Sequence, residues 1–145
     1  MKTDSLYFRL FKELPECFFE LLGRPSTDAG RYRFDAVEIK DTAVRLDGFY
    51  ALVEPDEREP VYFVEFQSHR SERVYSNLLL KIGLYLEKAN PNQDWRAVVI
   101  YPNRAVEQAN LHPYRGLLQL EQFTRIYVED LPEAPPGTFG WTYCD

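Results

Sequence analysis

The chain has 145 residues and a formal net charge of -6. That length suits one domain with a real core. A composition 45% hydrophobic and 15% aromatic excludes a disordered chain. Nucleic-acid binders are usually basic, because phosphate neutralisation drives their affinity. The acidic balance therefore counts against high-affinity, sequence-independent DNA binding. It counts less against an enzyme that neutralises phosphate with metal ions, or an oligomer with a locally basic groove. No apolar run approaches the roughly 20 residues needed to span a bilayer, and no signal-peptide core follows Met1-Lys2-Thr3-Asp4-Ser5. The two cysteines, Cys17 and Cys144, form neither a disulfide framework nor a zinc spacing, so a reducing cytoplasm is the expected compartment.

The first segment predicts a helix. Asp4 or Ser5 can cap it, and Leu6, Leu10, Leu14 and Phe18 recur at helical spacing, with Phe11 and Leu21 widening the stripe. Pro15 either kinks this helix or starts a second one at its first turn. Gly23 followed by Pro25 ends it. The aromatic residues here (Tyr7, Phe8, Phe11, Phe18, Phe19) read as core; any that are exposed point to an oligomer interface, so a homo-oligomer is open.

Three strands are predicted next, at residues 32–39, 43–53 and 61–67, with a charged hairpin connection at residues 55–60. The third, Val-Tyr-Phe-Val-Glu-Phe-Gln, is nearly continuously apolar, as a strand buried on both faces should be. A long helix over residues 71–89 follows, with the stripe Tyr75, Leu78, Leu79, Ile82 and Leu86, and with Arg73, Asn77, Lys81 and Lys88 on another side. A strand at residues 95–101 is expected parallel to the third through a crossover. Residues 106–120 read as one or two short helices broken by Pro113, and residues 123–128 as a last strand. The expected fold is α/β, with helices flanking a mixed central sheet. The expected organisation is a domain over residues 1–131 and a Pro-rich tail or linker over residues 132–145.

Within this frame two acids stand out. Asp47 lies in Ala-Val-Arg-Leu-Asp-Gly-Phe-Tyr-Ala, and Glu65 interrupts the apolar third strand with Gln67 two residues on. Side chains alternate along a strand, so Glu65 and Gln67 share a face, and Asp47 can join them if the strands pair. Two carboxylates about 5 Å apart repel by about 3 kcal/mol at an effective dielectric near 20. Such a pair must protonate or hold a cation, and oxygen donors suit Mg²⁺ or Mn²⁺. The Phe66 carbonyl is a further candidate ligand. Against this, Asp47-Gly48 is also a hairpin-turn signal. The plainer reading of Glu65 is a structural ion-pair partner of Arg45 or Lys81.

Asp47, then Glu65-Phe66-Gln67 eighteen positions later, then a helix, resembles the PD-(D/E)xK nuclease superfamily. Four segments taken in order (residues 4–11, 45–48, 62–67 and 94–102) are similar to one bacterial branch, the Rpn-like recombination-promoting nucleases and transposase-like proteins. The resemblance covers most of residues 4–131. It implies an α-β-β-β-α-β core and a Mg²⁺-dependent (or Mn²⁺-dependent) endonuclease acting on DNA and leaving a 5′-phosphate. It also implies a link to recombination or mobile elements. It makes Asp47 and Glu65 the metal ligands and puts Gln67, which orients water, at the usual lysine position. A glutamine lacks the lysine charge that stabilises the developing phosphorane. Arg73 or Lys81 from the next helix is expected to compensate, with Arg70 also near phosphate. The superfamily often adds an acid from the first helix, and Glu20 fits that place. The alternative is a nuclease fold kept as a catalytically weak or inactive binding or assembly module.

Overall fold

A computed structural model describes residues 9–131. Five strands form one sheet in the order β1-β2-β3-β4-β5: β1 Tyr32–Glu38, β2 Arg45–Leu52, β3 Val61–Phe66, β4 Trp95–Tyr101 and β5 Phe123–Tyr127. β1, β2 and β3 form an antiparallel meander, and β4 and β5 add parallel to β3. Helices flank the sheet: α1 (Pro15–Leu21) and α2 (Val74–Lys88). The fold is the mixed α/β architecture expected, and it is compatible with a nuclease-like core.

The first helix splits at Leu14, and Pro15 opens α1 at its first turn. Proline has no N–H to lose there, so a new helix costs less than a kinked one. The expected caps Asp4 and Ser5, and the tail from residue 132, lie outside the described residues. Gly23 (φ 72°) ends α1. Arg24 N–H donates to the Phe19 carbonyl and Gly23 N–H to that of Glu20, both at 2.9 Å, the Schellman closure that needs a left-handed residue.

Two apolar layers sandwich the sheet. On one face Phe18 and Phe19 of α1 pack on Tyr32, Tyr50 and Tyr62, with Phe18 stacked on Tyr50 at 4.6 Å between centroids. The buried hydroxyl of Tyr50 donates to the Phe11 carbonyl at 3.0 Å, so this aromatic can be wholly buried without an unpaired hydroxyl. On the other face Val74, Tyr75, Leu78 and Ile82 of α2 cover Phe49, Val61, Phe63, Ala97 and Val99. Leu79, expected in that stripe, faces outward. The apolar arc of α2 centres on residues 74, 78 and 82, which leaves position 79 at its margin. Residues 104–119 are three short 3-10 turns, Arg104–Val106, His112–Tyr114 and Leu117–Gln119, where one or two helices were expected.

One irregularity positions the site. Asp35 pairs with Phe49 and Val37 with Leu46, so two steps on β1 match three on β2. The extra residue falls at Asp47-Gly48, a bulge that re-aims side chains. Leu46 and Phe49 consequently reach the same buried layer, which strict alternation would forbid. Asp47-Gly48 is thus part of a strand and not a hairpin turn. A Cβ on Gly48 would stand 2.5 Å from the Val64 carbonyl oxygen, so only glycine lets β2 approach β3 here. Gly48→Ala is expected to destabilise the fold by about 2 kcal/mol, read by urea denaturation; an unchanged midpoint would show that the strands part without cost.

Candidate functional site

The C-terminal ends of the parallel strands β3, β4 and β5 and the N-terminal end of antiparallel β2 lie along one edge of the sheet. Continuing the β2–β3 ladder from Phe49↔Phe63 brings position 47 to the level of position 65. Glu65 lies at this edge, at the end of β3, with Gln67 just beyond it and Asp47 level with it by that register. Glu65 leaves β3 on the α2 face, and Lys81 Nζ donates to its Oε1 at 2.6 Å. The two side chains are 23% and 21% exposed, so the pair is screened from bulk water yet open to it on one side. The Glu65 carboxylate therefore already holds a cation, and that cation comes from α2.

Asp47 has a different environment. Its side chain is 73% exposed and accepts from Arg45 Nε at 3.2 Å. Gln67 donates through Nε2 to the His69 carbonyl at 3.0 Å. That bond pins the loop after β3 and leaves Oε1 to accept from another donor. Arg70 is exposed in this loop, and Arg73 is exposed where the loop enters α2. The Phe66 side chain points away from Glu65, into the α1 layer against Phe11.

Glu20 is not brought to this edge pair. It sits on α1, which covers the opposite face of the sheet from α2. Among the described residues no three side chains from His, Cys, Asp and Glu are placed to hold one metal ion. Glu20 Oε2 is buried without a hydrogen-bond partner among the described residues. Desolvation, and then the nearby Glu16 charge, raise its carboxyl above the usual range. A raised folded-state value means that charging Glu20 costs stability once pH rises past the ordinary carboxylate range. Glu20→Gln is thus expected to raise the melting temperature at pH 7 and to change it little at pH 3; a loss at pH 7 would mean that the charge has a favourable partner.

A second polar cluster lies at the same sheet edge and was not legible in the sequence. Glu107 is 8% exposed. Tyr127 donates to its Oε1; Tyr75 and Arg125 donate to its Oε2, the arginine at 3.0 Å. Tyr101 donates in turn to the Tyr75 hydroxyl at 3.0 Å. Burial pushes the Glu107 carboxyl up, but the bonds from Tyr127, Tyr75 and Arg125 together outweigh burial and hold it below the usual range. Desolvation is also the main reason that Tyr101 and Tyr127 are pushed up to about 12. The carboxylate is fully satisfied, so the cluster ties the first turn of α2 to the ends of β4 and β5. It thereby helps fix the helix that carries Lys81. A glutamate in a loop of mixed pattern, followed by Gln108, gave no signal of this.

No helix among the described residues is long and apolar enough to cross a membrane. Fold and site together define an α/β protein with a cation-holding carboxylate at the edge of a mixed sheet. Residues 3–143 match the family described as a protein of unknown function (DUF2887), and the chain belongs to that family. No curated protein and no solved structure matches it.

Proposed function

We propose that the chain is a metal-dependent DNA phosphodiesterase of PD-(D/E)xK type, related to the Rpn-like proteins that its segments resemble. The observation that carries this reading is the 2.6 Å contact between Lys81 and Glu65. On this reading Lys81 of α2 takes the part of the lysine that the position of Gln67 lacks. The charge needed beside the acidic residue is present, though the motif alone lacks it.

The donor set fits a hard divalent cation: two carboxylates, one of which already holds an ammonium group. Asp47 and Glu65 would hold Mg²⁺ or Mn²⁺, with the Phe66 carbonyl as a further oxygen. When bound, the ion supplies a lowered water pKa and neutralises charge on phosphorus. The chain's own groups supply the rest. Gln67 accepts a hydrogen bond from the attacking water through Oε1 and so orients it. Lys81 and the exposed Arg70 meet the phosphate oxygens and offset the chain's negative charge locally. Water adds to phosphorus as the bond to the 3′ oxygen breaks, leaving a 3′-hydroxyl and a 5′-phosphate.

The test is nicking of supercoiled plasmid by the full chain with Mg²⁺ or Mn²⁺. Asp47→Ala and Glu65→Ala are each expected to reduce it by at least about 10²-fold. Metal-independent nicking, or nicking untouched by both substitutions, sinks the reading. A second reading is favoured by the ion pairs that already satisfy both acids, Lys81–Glu65 and Arg45–Asp47. In it the fold is a non-cutting binding or assembly module. DNA binding without cleavage, insensitive to Glu65→Ala, would select it.

A further inference from the structure

The outward face of α2 carries two exposed leucines where a solvated helix face is normally polar. Val74, Tyr75, Leu78 and Ile82 form its buried side. At 100° per residue the opposite side carries Ser76, Leu80, Gly83 and Glu87. Leu79 and Leu80 are 43% and 52% exposed, two of the four large apolar side chains exposed among the described residues. Gly83 lies between them and the helix end, also exposed. Glycine inside a helix costs about 1 kcal/mol relative to alanine, and nothing among the described residues requires it, because a Cβ there would meet none of their atoms within 4 Å. A glycine there leaves room for another backbone to come close.

The charges on this face say what comes close. Arg73 precedes Leu80 by seven residues, and Glu87 follows it by seven. Both are exposed, and neither enters an ion pair among the described residues. Two copies of α2 packed antiparallel about a dyad at Leu80 would set each Arg73 against the other Glu87. Parallel packing would oppose like charges at both ends, which is repulsive. A two-fold contact is self-complementary in this way.

We propose that this face of α2 is the interface of a homodimer, with the helices antiparallel, Leu80 at the two-fold axis, and Arg73 of each copy paired with Glu87 of the other. Leu80 adjoins Lys81 in sequence, so the dimer sets two Glu65–Lys81 edges close to one axis. Arg73 then has an acidic partner, and phosphate contact at the edge falls to Lys81 and Arg70. A contact made by one helix from each copy is smaller than the roughly 1,200–2,000 Å² of a standard interface, so association in the micromolar range is expected.

Sedimentation of the full chain between about 5 and 200 μM, spanning that range, tests it. The wild-type mass should move from monomer toward dimer with concentration. Leu80→Glu and Glu87→Arg should each weaken the dimer by roughly tenfold or more, since each opposes like charges or buries one. The double charge exchange R73E/E87R should restore it. Circular dichroism of each variant separates lost association from lost fold, and the rescue cannot come from a misfolded chain. A wild-type monomer across the range overturns the proposal; so does a dimer indifferent to Leu80→Glu, or a double exchange that stays monomeric.

Discussion

Lys81→Met is expected to tighten Mn²⁺ binding at Glu65 while lowering plasmid nicking by about 10²- to 10³-fold, the usual loss when one group that stabilises transition-state charge is removed. The opposite signs come from one contact. The Lys81 ammonium lies 2.6 Å from Glu65 Oε1, where it competes with any cation for the same oxygen. Methionine keeps much of the length and apolar bulk of the stem but carries no charge. Glu65 is then a largely buried carboxylate with its partner gone, which favours a cation more strongly than before. The same change removes the positive charge that would meet the phosphate. Isothermal titration with Mn²⁺ reads the first effect, and the rise in melting temperature with Mn²⁺ reads it again by linkage. If the affinity falls or stays constant, Lys81 does not compete for the site. If neither protein binds Mn²⁺, the phosphodiesterase reading fails with it.

The strands were legible because each is bounded by turn residues and is rich in β-branched or aromatic side chains. The parallel placement of β4 follows from the helix that separates it from β3. Glu65 announced itself by cost: a carboxylate in Val-Tyr-Phe-Val-Glu-Phe must have a partner. Which partner was not legible, because Arg45 and Lys81 were both in reach of a plausible sheet. The bulge at Asp47-Gly48 was hidden for a more basic reason. Period-two reading assumes that one residue faces one residue, and a bulge breaks that count by one. It is visible only when β1 is laid beside β2. The surroundings of Glu20 could not be read from its position along its helix. The face of the sheet that α1 covers is decided by Phe18 and Phe19 packing on Tyr50 and Tyr62, contacts that no local pattern contains.

Glu107→Ala is expected to cost about 3–5 kcal/mol at pH 7, the range for removing one partner of a buried charge pair. The loss is large because three donors lose their acceptor together. Tyr75, Tyr127 and Arg125 would keep their place in the packed edge with nothing to donate to, and each buried unpaired group carries its own desolvation cost. Arg125 is partly exposed, so water recovers some of its share. Glu107→Gln keeps the shape and one acceptor and should cost less, because the charge alone is removed. The pH dependence fixes the sign. The folded-state carboxyl is held below its ordinary value, so the ionised network contributes fully above the unfolded value near 4.3 and is lost as pH falls through the folded value. Urea midpoints of wild type and Glu107→Gln should therefore differ by a constant amount from pH 8 to pH 5 and converge in acid. A gap that widens in acid would mean that the carboxyl is protonated in the native state and that burial, not the three donors, sets its charge. Because Tyr75 anchors the first turn of α2, the same substitution should also loosen Lys81 from Glu65. A Glu107→Gln protein that stays folded at 25 °C yet binds Mn²⁺ with altered affinity would place the tyrosine–glutamate cluster among the groups that position the site.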